Sequence, residues 1–256
     1  MLEHGYGDRV HLTDGSHLKS LLARVGSPAV DHGQLPGLVR EVYRILLDSA
    51  FDLALPKKTV EIPTRMVADH PDDGYFRGQL LDPDTNVVVC DIVRGGLVPS
   101  QVAFEMLCRV LDPRGIRLDH LTMSRVSNAS GKVTGVDLHG SKIGGSVEGA
   151  HLILPDPMGA TGTTAQRVCR HYRENFGEPA SIVLVPMIAT PEFLRAALAI
   201  DKAVVVCGRL DRGLSPPGVL AARPGDRWDE ERGLNEHGYI VPGAGGVGEV
   251  LNNSWC

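Results

Sequence analysis

Apolar residues in this chain fall into two alternating patterns, short unbroken runs and longer stretches at helical spacing. VVVCDIV (87–93) is one such run; after a glycine pair, the helix-like PSQVAFEMLCRVL leads to a second run, IRLDHLTMS (116–124). HLILP (151–155) passes through DPMGATGTT into AQRVCRHYRENF, and SIVLVPMI, PEFLRAALA and AVVVCGRL complete the series. Short β-branched runs separated by helices of about a dozen residues predict right-handed crossovers, and so an α/β domain with a parallel sheet flanked by helices on both faces. From Pro36, PGLVREVYRILLDSAFDLAL sets Leu38, Val42, Ile45, Leu46 and Ser49 on one face and predicts a docking helix.

Three segments break the rhythm. Residues 1–36 are rich in Gly and His with little periodicity, so an irregular N-terminal arm is expected before a domain spanning 37–256. Its histidines, His4, His11, His17 and His32, lack compact ligand spacing and are expected to be solvated. Residues 125–147 include SNASGKVTGVDLHGSKIGG, too long for an ordinary connection, and predict a flexible hairpin flap. Residues 212–231 contain Pro216, Pro217 and Pro224 and lie between two near copies, DRGL (211–214) and ERGL (231–234), which suggests an insertion or small duplication.

Composition narrows the function. Lys and Arg total 26 against 31 Asp and Glu, a net charge of −5, and there are only 5 Phe, 5 Tyr and 2 Trp. That argues against nucleic acid as a partner, although local arginines can still hold one small anion. Of the five cysteines, Cys90 and Cys207 sit within apolar runs and read as buried thiols, and no C-x-x-C pair is present. No run reaches the ~18 apolar residues of a membrane span, and MLEHGYGDRVHL lacks the apolar centre of a secretion signal, so no membrane association and a cytoplasmic location are expected.

The strongest chemical signal is HLILPDPMGATGTT. In open α/β sheets ligands bind at the carboxyl ends of strands. Here a strand gives way to Asp156, Pro157 and Met158, then to Gly159, Ala160, Thr161, Gly162, Thr163 and Thr164, and then to a helix. Small residues let backbone N–H groups approach a phosphate at the positive end of that helix, and the threonines add hydroxyl donors. Asp156 can accept from vicinal ribose hydroxyls. No Lys follows the loop, so it is not the phosphate loop of nucleoside triphosphatases.

DPMGATGTT closely resembles the D-P-M-x-A-T-G-G-S/T loop of the uracil phosphoribosyltransferase family, which is of the type I phosphoribosyltransferase class. Three further matches follow the family's order: Ile92-Val93-Arg94-Gly95-Gly96-Leu97 resembles I-L-R-A-G-L, Met123-Ser124-Arg125 stands for M-Y-R, and GLNEHGYIVPG (233–243) matches the closing segment. The resemblance implies a flap and a C-terminal base-binding hood on the type I fold. It also implies transfer of ribose 5-phosphate from phosphoribosyl diphosphate to uracil, giving UMP and diphosphate in pyrimidine salvage, by a magnesium-dependent pentosyltransferase. Mg2+ is then carried in by the diphosphate, with no protein metal site. The transition state, like an oxocarbenium ion, needs cations at the leaving group. Arg94 and Arg125 are implied as catalytic donor arginines and Asp156 as the catalytic carboxylate of the donor loop, with residues 156–164 around the ribose 5-phosphate. Main-chain groups of Ile240, Gly245, Gly246 and Val247 are implied to read the base. His237 and Glu236 read as part of a turn that shapes a lid, not as proton-transfer groups. A homodimer is also implied, with the helix near 37–54 as a surface for it.

The sequence departs from the family at G-D-x-G-D, which is here Gly245-Gly246-Val247-Gly248-Glu249. The first Asp of that motif contacts phosphoribosyl diphosphate in the family, and its place is taken by Gly246. Restoring it by Gly246→Asp is expected to raise uracil turnover. The altered tail and the insertion also leave room for a different planar acceptor, or for a non-catalytic regulator that keeps only the donor loop.

Overall fold

The computed structural model describes residues 1–127 and 133–254. Flap residues 128–132 and Cys256 lie outside the described residues. In chain order the strands are β1 (Val10–Leu12), β2 (Lys57–Pro63), β3 (Tyr75–Leu81), β4 (Val87–Val93), β5 (Ile116–Ser127), β6 (Val133–Lys142), β7 (His151–Leu154), β8 (Met158–Gly159), β9 (Ser181–Leu184), β10 (Ile188–Ala189), β11 (Ala203–Cys207) and β12 (Arg209–Leu210). The helices are α1 (Ser16–Val25), α2 (Leu35–Ala54), α3 (Leu97–Leu107), α4 (Thr163–Phe176), α5 (Pro191–Leu198), α6 (Pro217–Leu220) and α7 (Val247–Asn252).

The main sheet runs β1-β11-β9-β7-β4-β5-β6. All its pairings are parallel except β5 with β6, which form the hairpin expected as the flap, paired from His120 with Lys142 to Ser127 with Val133 with register shifts after Thr122 and after Val126. Strand side chains alternate between two cores, as the twofold period of a strand requires. Val87, Val89, Ile153 and Val183 face α1, α2 and α3, whereas Val88, Cys90, Leu152, Leu154, Ile182 and Leu184 face α4 and α5. The apolar runs are unbroken because both faces of the sheet are covered. Cys90 and Cys207 are buried as expected; burial pushes the Cys207 thiol up to about 12, out of the range of a reactive thiolate.

Pro36 lies in the first turn of α2, where a missing N–H costs nothing. Leu38, Val42 and Leu46 are buried with Val39, Tyr43, Leu47, Ala50 and Phe51, each such side chain contributing about 1.5–3 kcal/mol if large and apolar. Its apolar face is thus taken up by the sheet and by α1 and α3, which leaves only the opposite, mainly charged face of the helix at the surface.

The N-terminal arm is corrected too. Residues 1–36 are not irregular, because β1 is the edge strand beside β11, and Leu18, Leu22 and Val25 of α1 are buried. Tyr6 is also buried, stacked edge-on against Trp228 at 5.0 Å, and its hydroxyl donates to the Glu231 carboxylate. Glu231 is fully buried, pairs with Arg212 at 2.8 Å and accepts the Gly225 N–H at 2.9 Å. The two near copies around residues 212–231 therefore lie side by side, with Leu214 N–H donating to the Arg232 carbonyl at 3.1 Å. Residues 57–81 form a separate antiparallel hairpin of β2 and β3.

Candidate active site

At the carboxyl ends of β4, β7 and β9 lies a cavity of about 640 Å³. Its walls are the β4–α3 turn at 92–95, Met123 and Ser124 of β5, the loop after β7, Leu184, Val185 and Pro186 at the end of β9, and the tail segments 237–240 and 245–249.

The loop after β7 is held from behind by β10. Ile188 N–H donates to Pro157 O, Thr190 N–H to Gly159 O, and Thr190 Oγ1 to Ala160 O at 2.6 Å. Gly162 has φ 78°, a left-handed value suited to glycine, and a Cβ there would run into the Ala196 side chain. Asp156 Oδ1 accepts the Met158 N–H at 3.4 Å, and Thr161 Oγ1 lies 3.0 Å from Thr163 Oγ1. Thr161 Oγ1 accepts the Thr163 N–H at 3.3 Å, but the N-cap Gly162 brings no side chain and no acidic residue lies in the first turn of α4, which leaves its positive end suited to an anion.

Asp156, Pro157, Met158, Ala160, Thr161, Gly162 and Thr164 line the cavity together with Arg94, Ile240, Gly245, Gly246 and Val247. Gly159 and Thr163 do not. The ring of Phe193 lies 3.0 Å from where a Gly159 Cβ would be, so this glycine serves packing against α5. Arg125 lies on β5 opposite Val136, next to Ser124; its side chain is outside the described part of the structure.

Arg94 opens the turn after β4 and donates to Ser254 Oγ at 2.6 Å. Behind it Asp91 is buried and meets His120 Nδ1 at 2.7 Å; burial raises its carboxyl above the usual range, against the pull of His120. Tyr43 is fully buried and donates to Val185 O at 3.0 Å. Burial first, and the nearby Asp156 charge second, hold its phenol well above the ordinary value, so it stays a neutral donor that fixes the end of β9.

The tail folds back through a tight turn in which Asn235 Oδ1 accepts the His237 and Tyr239 N–H groups at 3.0 and 2.9 Å. Glu236 and His237 are exposed and 3.4 Å apart, a solvated pair, although His237 also borders the cavity. Beyond it, Gly243 N–H donates to Asp211 Oδ2 at 2.8 Å, and Arg209 grips both Asp211 oxygens and Gly243 O. Gly233 N–H is held by the Glu192 carboxylate at 3.0 Å.

A family model described as "Uracil phosphoribosyltransferase" matches residues 12–230. The chain belongs to the uracil phosphoribosyltransferase family. A protein named uracil phosphoribosyltransferase from Mycoplasma genitalium is 27% identical over 209 residues, covering 82% of this chain and 85% of that one. Another of that name, from Thermococcus gammatolerans, is 27% identical over 176 residues, covering 68% and 64%. Among solved structures, the AQ2163 protein from Aquifex aeolicus shares the fold at a TM-score of 0.70 and 20% identity, over 94% of this chain and 97% of that one. The match to the uracil phosphoribosyltransferase model begins at the last residue of β1, takes in α1, the Arg94 turn and the loop after β7, and ends ahead of the 233–243 segment.

Sequence reasoning missed several residues of the cavity. Leu184, Val185 and Pro186 follow from the rule that ligands sit at strand carboxyl ends. Phe193 carried no local signal, Tyr239 was read only as part of the closing segment, and Glu249 was noted only as a variant of the family motif.

Proposed function

We propose that this cavity is the active site of a uracil phosphoribosyltransferase, which transfers ribose 5-phosphate from phosphoribosyl diphosphate to N1 of uracil and releases diphosphate. The observation that carries the reading is that the donor loop, the Arg94 turn and the tail segment of the base side border one cavity. The loop at 156–164 and the open end of α4 receive the 5-phosphate, Asp156 accepts from the ribose hydroxyls, and Arg94 with Arg125 balances charge growing on the leaving diphosphate. Main-chain groups at Ile240 and Gly245–Val247 meet the base edge, which offers two carbonyl acceptors and one N–H. Mg2+, which fits a cavity bordered by the carboxylates of Asp156 and Glu249, would neutralise part of the diphosphate charge. A homodimer and a cytoplasmic location belong to the same reading through family resemblance. Among the described residues no helix is long and apolar enough to cross a membrane.

The test is diphosphate release from phosphoribosyl diphosphate and Mg2+ with a panel of bases, alongside the mass of the protein in solution. Release and UMP formation with uracil alone are expected. Release only with another base would reassign the acceptor, and donor binding without release with any base would leave a binding protein.

A further inference from the structure

Gly246 poses a question that its backbone does not answer. Its φ of −79° is open to any residue, so conformational freedom is not the reason for glycine. What a side chain there would meet is the far end of Glu249, which would have to swing aside: its Oε2 lies 2.5 Å and its Cδ 3.0 Å from where a Cβ on Gly246 would be. The glutamate, in the first turn of α7, folds back so that its carboxylate occupies the space in which a side chain at 246 would begin. Both residues border the cavity that also holds Asp156 and Arg94. The same short helix packs on the Arg94 turn, since a Cβ at Gly248 would stand 3.5 Å from Gly95 N. Among the described residues the Glu249 carboxylate has no hydrogen-bond or ion-pair partner in the protein. A carboxylate half-covered in a cavity wall and left without protein donors is suited to accept from a ligand.

We propose that Glu249 supplies, from the next turn of chain, the acidic contact to the donor that position 246 lacks. This rests on the reading of the cavity as a phosphoribosyl diphosphate site. A carboxylate near a diphosphate is repelled unless it meets O–H groups, and the donor brings two sources of them: its ribose hydroxyls and the water shell of its Mg2+. In either case Gly246 and Glu249 are a linked pair. Gly246→Asp alone then sets a second carboxylate against the first and does not raise turnover, in contrast to the expectation from sequence.

The experiment is calorimetric titration of phosphoribosyl diphosphate, with and without Mg2+, into the wild type, Glu249→Gln, Glu249→Ala, Gly246→Asp and the double variant Gly246→Asp/Glu249→Ala. UMP formation is measured in parallel, and thermal melts check folding. Both single changes at 249 are expected to weaken donor binding about 10- to 100-fold, the worth of a hydrogen bond to a charged group. The double variant is expected to recover at least about tenfold of that, and Gly246→Asp alone to bind no tighter than the wild type. A loss seen only with Mg2+ identifies the hydrated cation as the source, and a loss in both conditions identifies the ribose hydroxyls. Wild-type affinity in both Glu249 variants, or a double variant as weak as Glu249→Ala, overturns the proposal while the proposed function stands. Wild-type donor binding without UMP formation overturns that function while Glu249 keeps its role; no donor binding by the wild type overturns both.

Discussion

The proposed donor side and the proposed base side of the cavity are built in different ways. The donor loop is one continuous string between β7 and α4, shaped by its own glycines and backed by β10 through short main-chain bonds. The base side is a tail that has little regular structure and is tied down by side chains from far along the chain: Asp211 to Gly243, 32 residues apart, and Glu192 to Gly233, 41 apart. The donor side thus depends on local backbone geometry, whereas the base side depends on buried polar partners elsewhere. Substitutions should separate the two: changes in the donor loop alter donor use with the fold intact, and changes in the fastening residues alter stability and base affinity together.

The largest expected effect comes from Asp156→Asn, which keeps the side-chain shape but removes the charge. By analogy with the loss of one preorganised polar contact, kcat/KM for phosphoribosyl diphosphate should fall about 10²–10³-fold with the melting temperature little changed. A near-normal value would remove Asp156 from the site. Asp211→Asn should act the other way round. Its carboxylate is buried, takes two bonds from Arg209 and holds Gly243, so the change leaves a guanidinium underpaired. Breaking a buried pair costs about 3–5 kcal/mol, and the lower end applies because Arg209 is partly exposed. Urea denaturation should show that loss, with KM for uracil rising several-fold more than KM for the donor. An equal rise in both constants would mean that the tail is not a separately fastened element.

The same contrast sets what the sequence could reveal. The alternation of apolar runs with helices gave the sheet, and the donor loop was legible because its residues are contiguous and each has a local reason to be there. Asp211, Arg209 and Glu192 were not legible as fasteners, since the main-chain groups of Gly243 and Gly233 that they hold lie 30 or more residues away and no spacing rule links them. Asp211 was read only as part of a repeated tetrapeptide, and that repeat proved to frame the Arg212–Glu231 pair. The arm was misread for a different reason. β1 is three residues long, too short to show a period, and the apolar spacing of Leu18, Leu22 and Val25 was diluted by the surrounding Gly and His. The β2–β3 hairpin escaped because it is largely exposed and shows no buried face.

The smallest expected effect is a pH dependence that draws on both regions. His151 opens β7, the strand that leads into the donor loop, and meets Ser181 Oγ at 2.7 Å; His4 and His11 lie in the N-terminal segment that Tyr6 ties to Glu231. Burial is the largest influence on all three and lowers each below the ordinary value of 6.5, with the charge of Arg223 adding to it at His4 and that of His4 at His11. Above pH 6.5 folded and unfolded chains both hold these rings neutral. Below it the unfolded chain takes up protons that the folded chain resists, so stability is lost as pH falls from 6.5 toward the folded values, by well under the limiting ~1.4 kcal/mol per pH unit per histidine because all three rings are partly solvated. Asp91 works in the opposite direction: its raised carboxyl favours the folded state at low pH, and that contribution is lost as pH rises from 3.8 through its folded value. The lowered carboxyls of Asp14, Asp112, Glu178 and Glu230 lose their contributions only below about pH 4.5, outside this window. Urea unfolding should therefore give a free energy that is flat from about pH 8 to 7 and declines between about 6.5 and 5. His151→Gln should flatten part of that decline through the donor-side strand, and His11→Gln another part through the N-terminal edge. A pH profile of His151→Gln that matches the wild type's down to pH 5.5 would show that the folded chain takes up a proton at this ring as readily as the unfolded one.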